Sequence, residues 1–323
     1  MKILVVGSSV IDLFIEIEDK NHIEFIKNKI QLTSGDKIPI DIKTLTIGGD
    51  GANVSVGLSL LERQTTFYTY FGNDIFSKEI EEAINKKGVK LMAQKNEEGK
   101  SSLSLVFNIG NDRIIFSHHE KRNHIFNYQE NSLPDFIYLT SVGDYWQEAY
   151  KSVLEFAKKN GIPLGLTPGT HQFEAPTDIL LEIIKTSKIV LVNREEAAKI
   201  LSWKNVFEPD IKDLMSEFKK LGPQIISVTD GAQGASCLDE TNNYYYIKPF
   251  QEKILEKTGA GDAYTSGFLS AYFNNLSINE CMKWGSLNSN SVMQKVGAQE
   301  GLLTKDEIEK IVRENPDYKA EKI

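Results

Sequence analysis

The sequence predicts an α/β fold: a mostly parallel central sheet with helices on both faces and a small β-sheet beside it. Three observations carry this. Short apolar, β-branched runs alternate with segments of helical period, a second texture of strict two-residue alternation fills two separated stretches, and no repeat, low-complexity tract or Pro/Gly/Ser linker divides the 323 residues. Strands are expected over 3–6, 66–70, 136–140, 163–166, 189–192 and 225–229. Helices are expected between them, over 52–61, 78–87, 147–159, 178–185 and 211–221. Continuous apolar strands separated by helices are the pattern of a sheet buried on both faces.

The small sheet comes from the alternating stretches. Ile11, Leu13, Ile15 and Ile17 alternate with Asp12, Phe14 and Glu16; Ile38, Ile40 and Ile42 alternate with Pro39, Asp41 and Lys43; and Leu103, Leu105, Phe107 and Ile109 alternate with Ser102, Ser104, Val106 and Asn108. Such period-two patterning suits half-buried strands with one wet face. A lid built from roughly 11–47 and 100–123 over a single domain spanning 1–323 is the economical arrangement. The C-terminal third reads as helical: Ser277 with Glu280 and Thr304 with Glu307 have capping-box spacing, and the first of these helices is expected to run to about residue 294.

Composition narrows the function. With 41% hydrophobic residues the chain can bury a large core, and a net charge of −8 argues against nucleic acid as the partner. Cys237 and Cys281 lie far apart and form no CxxC pair, which fits a reducing cytoplasm. The apolar run Ile3 to Val6 is interrupted by Gly7, Ser8 and Ser9 and followed by Asp12, so a buried first strand is read there rather than a leader. No apolar stretch is long enough for a membrane span. The expectation is a soluble, cytoplasmic protein with no membrane partner.

The stretch richest in chemistry is Lys257-Thr258-Gly259-Ala260-Gly261-Asp262-Ala263-Tyr264, followed at helical spacing by Gly267, Phe268, Ala271 and Tyr272. Two glycines so close favour a turn over helix interior, so Gly259 to Gly261 should feed a helix that begins near Asp262. Bare amides and the helix dipole at such a start attract an anion. A carboxylate beside an anion site is unfavourable unless it has work there, such as taking a proton from an attacking hydroxyl. The alternative is an ordinary glycine turn with Asp262 as a first-turn helix residue.

Gly259-Ala260-Gly261-Asp262 and its helix resemble the second signature of the PfkB carbohydrate kinase family, and Gly48-Gly49-Asp50-Gly51-Ala52-Asn53, running on through Val56 and Leu60, resembles the first. Gly72-Asn73-Asp74 with Phe76, Lys87-Gly88-Val89, Asn193-Arg194-Glu195-Glu196, Thr229-Asp230-Gly231 with Gly234, and Gly297-Ala298 follow the family's intermediate markers in order. The resemblance spans essentially the whole chain. It implies a ribokinase-like fold and an ATP- and Mg²⁺-dependent kinase acting on a sugar or sugar-like alcohol, with a homodimer formed through the lid.

The same resemblance implies roles. Gly259, Ala260 and Gly261 would form the anion hole, with Asp262 as general base. Asp12, Gly48, Gly49 and Asn53 would hold the substrate. Asn193, Glu196, Thr229, Gly231 and Gly234 would border the nucleotide, Glu196 reaching Mg²⁺ through water. In the polar run His118, His119, Lys121, Arg122 and His124, His119 and Arg122 are the residues expected to reach the substrate; the alternative is a solvated loop. Glu256 and Lys257 depart from the family's Asp-Thr pattern, in a region that in relatives helps bind a monovalent cation, so K⁺ activation is not carried over. Thr167-Pro168-Gly169 stands where many relatives carry an Asp. A nucleoside kinase of the same fold is the nearest rival, with Phe14 and Phe116 available to stack on a base, and a catalytically silent ligand-binding homologue is the rival from another class. No GxGxxG opens a helix after the first strand and no GxxxxGK[ST] is present, which disfavours a dinucleotide enzyme and a Walker-type loop.

Overall fold

The chain opens with β1 (Lys2–Val6) and β2 (Val10–Glu16), then a hairpin of β3 (Ile23–Ile26) and β4 (Lys29–Leu32), β5 (Asp41–Gly48), α1 (Asp50–Leu60), β6 (Gln64–Gly72), α2 (Ile75–Lys86), β7 (Lys90–Asn96), β8 (Ser102–Ile109) and β9 (Asp112–His118). It continues through β10 (Phe136–Leu139), α3 (Gln147–Asn160), β11 (Leu164–Leu166), α4 (Asp178–Thr186), β12 (Ser187–Asn193), α5 (Arg194–Ser202), α6 (Ile211–Lys219), β13 (Ile225–Thr229), β14 (Ala235–Leu238) and β15 (Tyr244–Ile247). It ends with α7 (Ala260–Phe273), α8 (Ile278–Val292), α9 (Lys305–Glu314) and β16 (Glu321–Lys322). The computed structural model describes residues 1–17, 23–26, 29–96, 99–109, 112–174, 177–202, 210–250 and 254–323. Of the stretches expected to form the lid, 18–22, 27–28 and 110–111 lie outside the described residues.

Among those residues the large sheet has ten strands in the order β16-β15-β14-β13-β12-β11-β10-β1-β6-β7. Pairing is parallel from β13 to β7 and antiparallel from β13 to β16. The core strands are apolar on both faces because both are covered. Ile3, Val5, Phe67 and Tyr138 pack under α1, α7 and α8, while Leu4, Val6, Tyr68 and Leu139 pack against α3, α4 and α6. Chain order reverses at β1: β6 lies on one side and β10 on the other, which leaves a crevice at the carboxyl ends of these strands. There the Ser8 N–H donates to the Ser141 carbonyl at 2.7 Å, joining the two loops that leave β1 and β10.

The small sheet, β5-β2-β8-β9, follows the expectation from alternation only in part: Ile11, Ile15 and Ile17 are buried, but so is Asp12 on the other face. Asp12 pairs across to Thr46 and Ser104, so these polar side chains share a face, and that face is the inner one: Asp12 and Ser104 are each only 8% exposed. The apolar stripe Leu45, Leu13, Leu105 and Phe116, in register across all four strands, faces outward, with Leu45 42% and Phe116 55% exposed. Strand β5 starts at Asp41 rather than near Ile38, and Ile40 and Ile42 are exposed while Ile38 joins a small cluster with Ile17 and Ile109. Pro39 offers no N–H to a ladder, and the register shift at Phe14/Ile15 breaks the simple period.

Helix starts follow their local chemistry. Asp74 Oδ1 accepts the Ser77 N–H at 2.9 Å and starts α2 at Ile75, earlier than its apolar period suggests. Ser277 caps α8 through the Glu280 N–H, and both halves of the Thr304–Glu307 box form on α9. Helix α8 ends at Val292 and α7 begins at Ala260, each within two residues of its predicted boundary. The contact that matters for the site is between α1 and α7. A Cβ on Gly57 would stand 2.3 Å from Ser266 Oγ, so glycine sets how closely the helices approach. Gly57→Val should therefore cost about 1–3 kcal/mol by overpacking, measured by urea denaturation; an unchanged midpoint would contradict this packing.

Candidate active site

Three helices start around the crevice, and each carries an acid in its first turn: Asp50 on α1, Glu196 on α5 and Asp262 on α7. All three line a cleft of about 570 Å³. Ser8, Ser141, Thr167, Thr170, His119 and His171 line it together with Gly49, Gly259, Ala260 and Gly261. Lys257 stands at the wall and brings a positive charge.

The turn before α7 is held by Glu256. Its Oε1 accepts the N–H of Lys257 at 2.9 Å, the N–H of Thr258 at 3.1 Å and the Thr258 hydroxyl at 2.8 Å. Gly259 caps the helix at φ 77°, and a Cβ there would lie 2.6 Å from the Cβ of Ala298. Only glycine fits both the left-handed backbone and the contact. Gly261 differs: nothing lies within 4 Å of where its Cβ would stand. Amides of the first turn lack partners four residues back within the helix; that of Ala260 donates to the Lys257 carbonyl at 3.3 Å.

Asp262 is half-buried and accepts a hydrogen bond at Oδ2 from Asn53 Nδ2 at 2.8 Å. Burial and the neighbouring Asp50 carboxylate hold its pKa well above the usual carboxylate range, with Glu196 adding to the rise and Asn53 opposing it. Burial raises Asp50 as well. Glu196 is pushed up to about 7 by burial, and Asp50 adds to the shift. These are the shifts expected when acids share a poorly hydrated site. Each also sits at the positive end of a helix, which partly offsets the repulsion.

A second chamber of about 380 Å³ opens from the first. The two share Asn193, Thr229, Lys257, Ala260, Gly261 and Tyr264. Its walls are largely apolar, lined by Pro249, Phe250, Ile254, Met293, Ala232 and Ala235 together with Gly231 and Gly234.

Of the residues singled out from sequence, Gly49, His119, Asn193, Glu196, Thr229, Gly259, Ala260, Gly261 and Asp262 line the main cleft, and Gly231 and Gly234 the second chamber. Asn193 and Glu196 cap each other: each backbone N–H donates to the other's side chain at 2.9 Å. Asp12 lies under the small sheet with its carboxylate against Gly48, and burial raises its pKa to about 6 while a hydrogen bond with Ser104 opposes the rise. Neither Asp12, Gly48 nor Asn53 is at the cleft wall, and Asn53 is turned to Asp262. Arg122 is buried away from the cleft and donates to the Lys100 carbonyl. Phe14 is fully buried and Phe116 lies on the outer face of the small sheet.

Sequence reasoning gave no role to Asp50, Ser8, Ser141 or His171, nor to the apolar chamber. The position of Ser8 directly after the first strand was the available signal for the switch point. Phe250 and Met293 carry no local mark that separates them from core residues.

Comparison with known proteins assigns the class. The description "pfkB family carbohydrate kinase" matches residues 2–305, and the chain belongs to that family. The protein is a phosphotransferase with an alcohol group as acceptor, a sugar kinase. It is 26% identical over 298 residues to a 5-dehydro-2-deoxygluconokinase of Clostridium botulinum, covering 86% of this chain and 87% of the relative. It is 23% identical to a ribokinase of Haemophilus influenzae, covering 81% and 86%. The ribokinase structure from Thermotoga maritima superposes with a TM-score of 0.78 at 19% identity, covering 96% of this chain and 99% of that one. A nucleoside kinase of the ribokinase family from Methanocaldococcus jannaschii gives 0.75 at 21%, covering 97% and 98%. The fold is therefore ribokinase-like.

The two glycines of the turn make opposite demands. Gly259→Ala should lose about 1–3 kcal/mol of stability through strain and contact, whereas Gly261→Ala should be neutral or gain up to about 1 kcal/mol as a helical residue. Paired urea titrations read the difference, and equal losses would contradict the geometry.

Proposed function

We propose that the protein transfers the γ-phosphoryl group of ATP to a hydroxyl of a sugar or sugar-like alcohol, with Asp262 as general base and the amides of Gly259, Ala260 and Gly261 as the anion hole. The observation that carries this reading is the adjacency of a helix start, an open space at Gly261 and a carboxylate with one oxygen engaged by Asn53. Charge that develops on the phosphoryl oxygens meets fixed N–H donors, while Asp262 takes the proton from the attacking hydroxyl. A raised pKa suits this task, because a base of very low pKa accepts a proton poorly near neutral pH.

The nucleotide is assigned to the shared wall and the apolar chamber. Its base would lie among Pro249, Phe250, Ile254 and Met293, with its phosphates running past Thr229, Lys257 and Gly261 to the turn. Among the described residues no cluster of His, Cys, Asp and Glu is tight enough to cage a metal. The donor set fits Mg²⁺ held chiefly by phosphate and water, with Glu196 and Asn193 as outer contacts. Bound there, the ion neutralises phosphate charge. Glu256 already directs its carboxylate to the amides of the turn, so nothing in this reading calls for a monovalent cation.

The acceptor would lie against the hydroxyls and imidazoles of Ser8, Ser141, Thr170, His119 and His171, which match a polyhydroxylated molecule. Asp12 and Gly48 would join it when the small sheet closes as a lid. Neither Phe14 nor Phe116 lines the cleft, and the preference for a sugar rests on the hydroxyls and imidazoles that do. Arg122 would act from behind, by fixing the segment that carries His119. Cys237 and Cys281 are free and buried, in keeping with a reducing cytoplasm. The outward stripe of Leu45, Leu13, Leu105 and Phe116 supports a homodimer formed through the lid sheets.

An ADP-release screen over sugars, polyols and nucleosides should find an acceptor among the sugars, and Asp262→Asn should lower kcat by about 10²–10⁴-fold while leaving nucleotide affinity within a few-fold. Near-normal turnover in that variant would rule out the base assignment. Phe116→Glu should shift the protein to a monomer in sedimentation velocity, and an unchanged sedimentation coefficient would remove the lid from the dimer contact.

A further inference from the structure

We infer that Gln299 is a positioning residue for the transfer, fixing the carboxylate of Asp262 through the side chain of Asn53. The inference rests on the reading of Asp262 as the base. Gln299 Nε2 donates to Asn53 Oδ1 at 3.0 Å, and Asn53 Nδ2 donates to Asp262 Oδ2 at 2.8 Å. Gln299 is 9% and Asn53 3% exposed, so water competes weakly for either amide.

The chain of hydrogen bonds has one workable direction. An ionised carboxylate only accepts, so Asn53 must turn its NH₂ to Asp262. That choice leaves Asn53 Oδ1 facing away and in need of a donor, and Gln299 supplies it. Without Gln299 the Asn53 amide can rotate half a turn about its terminal bond and set a carbonyl oxygen against the carboxylate. With it, Oδ2 of Asp262 stays engaged and Oδ1 is left for the acceptor hydroxyl. Misplacing a reacting group by a fraction of an ångström is enough to slow a transfer of this kind.

The placement of Gln299 adds to the case. It follows Gly297 and Ala298, and Ala298 is the residue that abuts Gly259. One short turn therefore braces the backbone of the helix start from one side and, one residue on, orders the carboxylate in its first turn. Thr46 of β5 lies 3.3 Å from where a Cβ on Gly297 would stand, so the small sheet rests on the same turn. Gln299 lines neither chamber. Its effect must then pass through Asn53, and that sets the test.

Steady-state kinetics with MgATP and the acceptor that releases ADP fastest in the screen would be compared for wild type, Gln299→Met, Asn53→Ala and the double variant. We expect Gln299→Met to lower kcat by about 5–20-fold with both KM values within about two-fold. In the Asn53→Ala background the same change should alter kcat by less than about two-fold, because the link is already cut. An equal loss in both backgrounds, or a normal kcat in Gln299→Met, overturns the inference. If Gln299→Met does not fold, Gln299→Glu assayed at pH 8.5 keeps the volume without the donor and is judged by the same criterion. Asp262→Asn separates the two levels: retained turnover there refutes the base itself, whereas an independent Gln299 effect beside a silent Asp262→Asn refutes only the relay.

Discussion

Negative charge is gathered at one point of this fold with little to neutralise it. Asp50, Glu196 and Asp262 face a common cleft, and Lys257 is the lysine at its wall among the described residues. Helix α5 follows the parallel strand β12 directly, whereas α1 comes from β5 of the small sheet and α7 from the stretch after β15, yet all three N-termini meet at the same cleft, and each positive helix end tolerates one acid. Burial raises the pKa of all three carboxyls, and the charge of Asp50 adds to the rise at Asp262 and Glu196. In the proposed reading such a site would suit a ligand that brings cations with its phosphates.

The rest of the molecule can be understood as holding that point in register. Chain reversal at β1 opens the crevice, and the bond between Ser8 and Ser141 fastens its two lips. Close approach of α1 and α7 at Gly57 brings Asn53 to Asp262. Glu256 orders the turn from the upstream side and the Gly297-Ala298-Gln299 turn from the other. These contacts come from segments far apart in sequence, so the geometry depends on the whole domain rather than on one motif.

Much of the fold was legible because the core strands are unusually plain. Runs such as Ile3 to Val6 and Ile189 to Val192 are buried on both faces, and no other role suits them. The turn before α7 was legible because glycines mark it, at Gly259 for backbone conformation and at Gly261 for empty space. The small sheet misled. Alternation tells which residues share a face but not which face meets the protein, and here the polar face with Asp12 and Ser104 is inside while Leu45 and Phe116 are outside. Hydrophobicity points the wrong way when a sheet turns a polar side chain such as Asp12 inward and leaves an apolar stripe exposed. Asn53 illustrates a second limit: its motif marks it as functional, but only the fold reveals that its amide faces Asp262 and Gln299. The walls of the apolar chamber, drawn from Phe250, Ile254 and Met293, were invisible for a third reason, since lining a cavity and filling a core use the same residues.

A crystal structure with Mg²⁺ and a non-hydrolysable ATP analogue tests the central claim most directly. The terminal phosphate should lie on the amides of Gly259 to Gly261 beside Asp262, with the base in the chamber of Phe250 and Met293. A nucleotide whose terminal phosphate lies away from that turn would contradict the account.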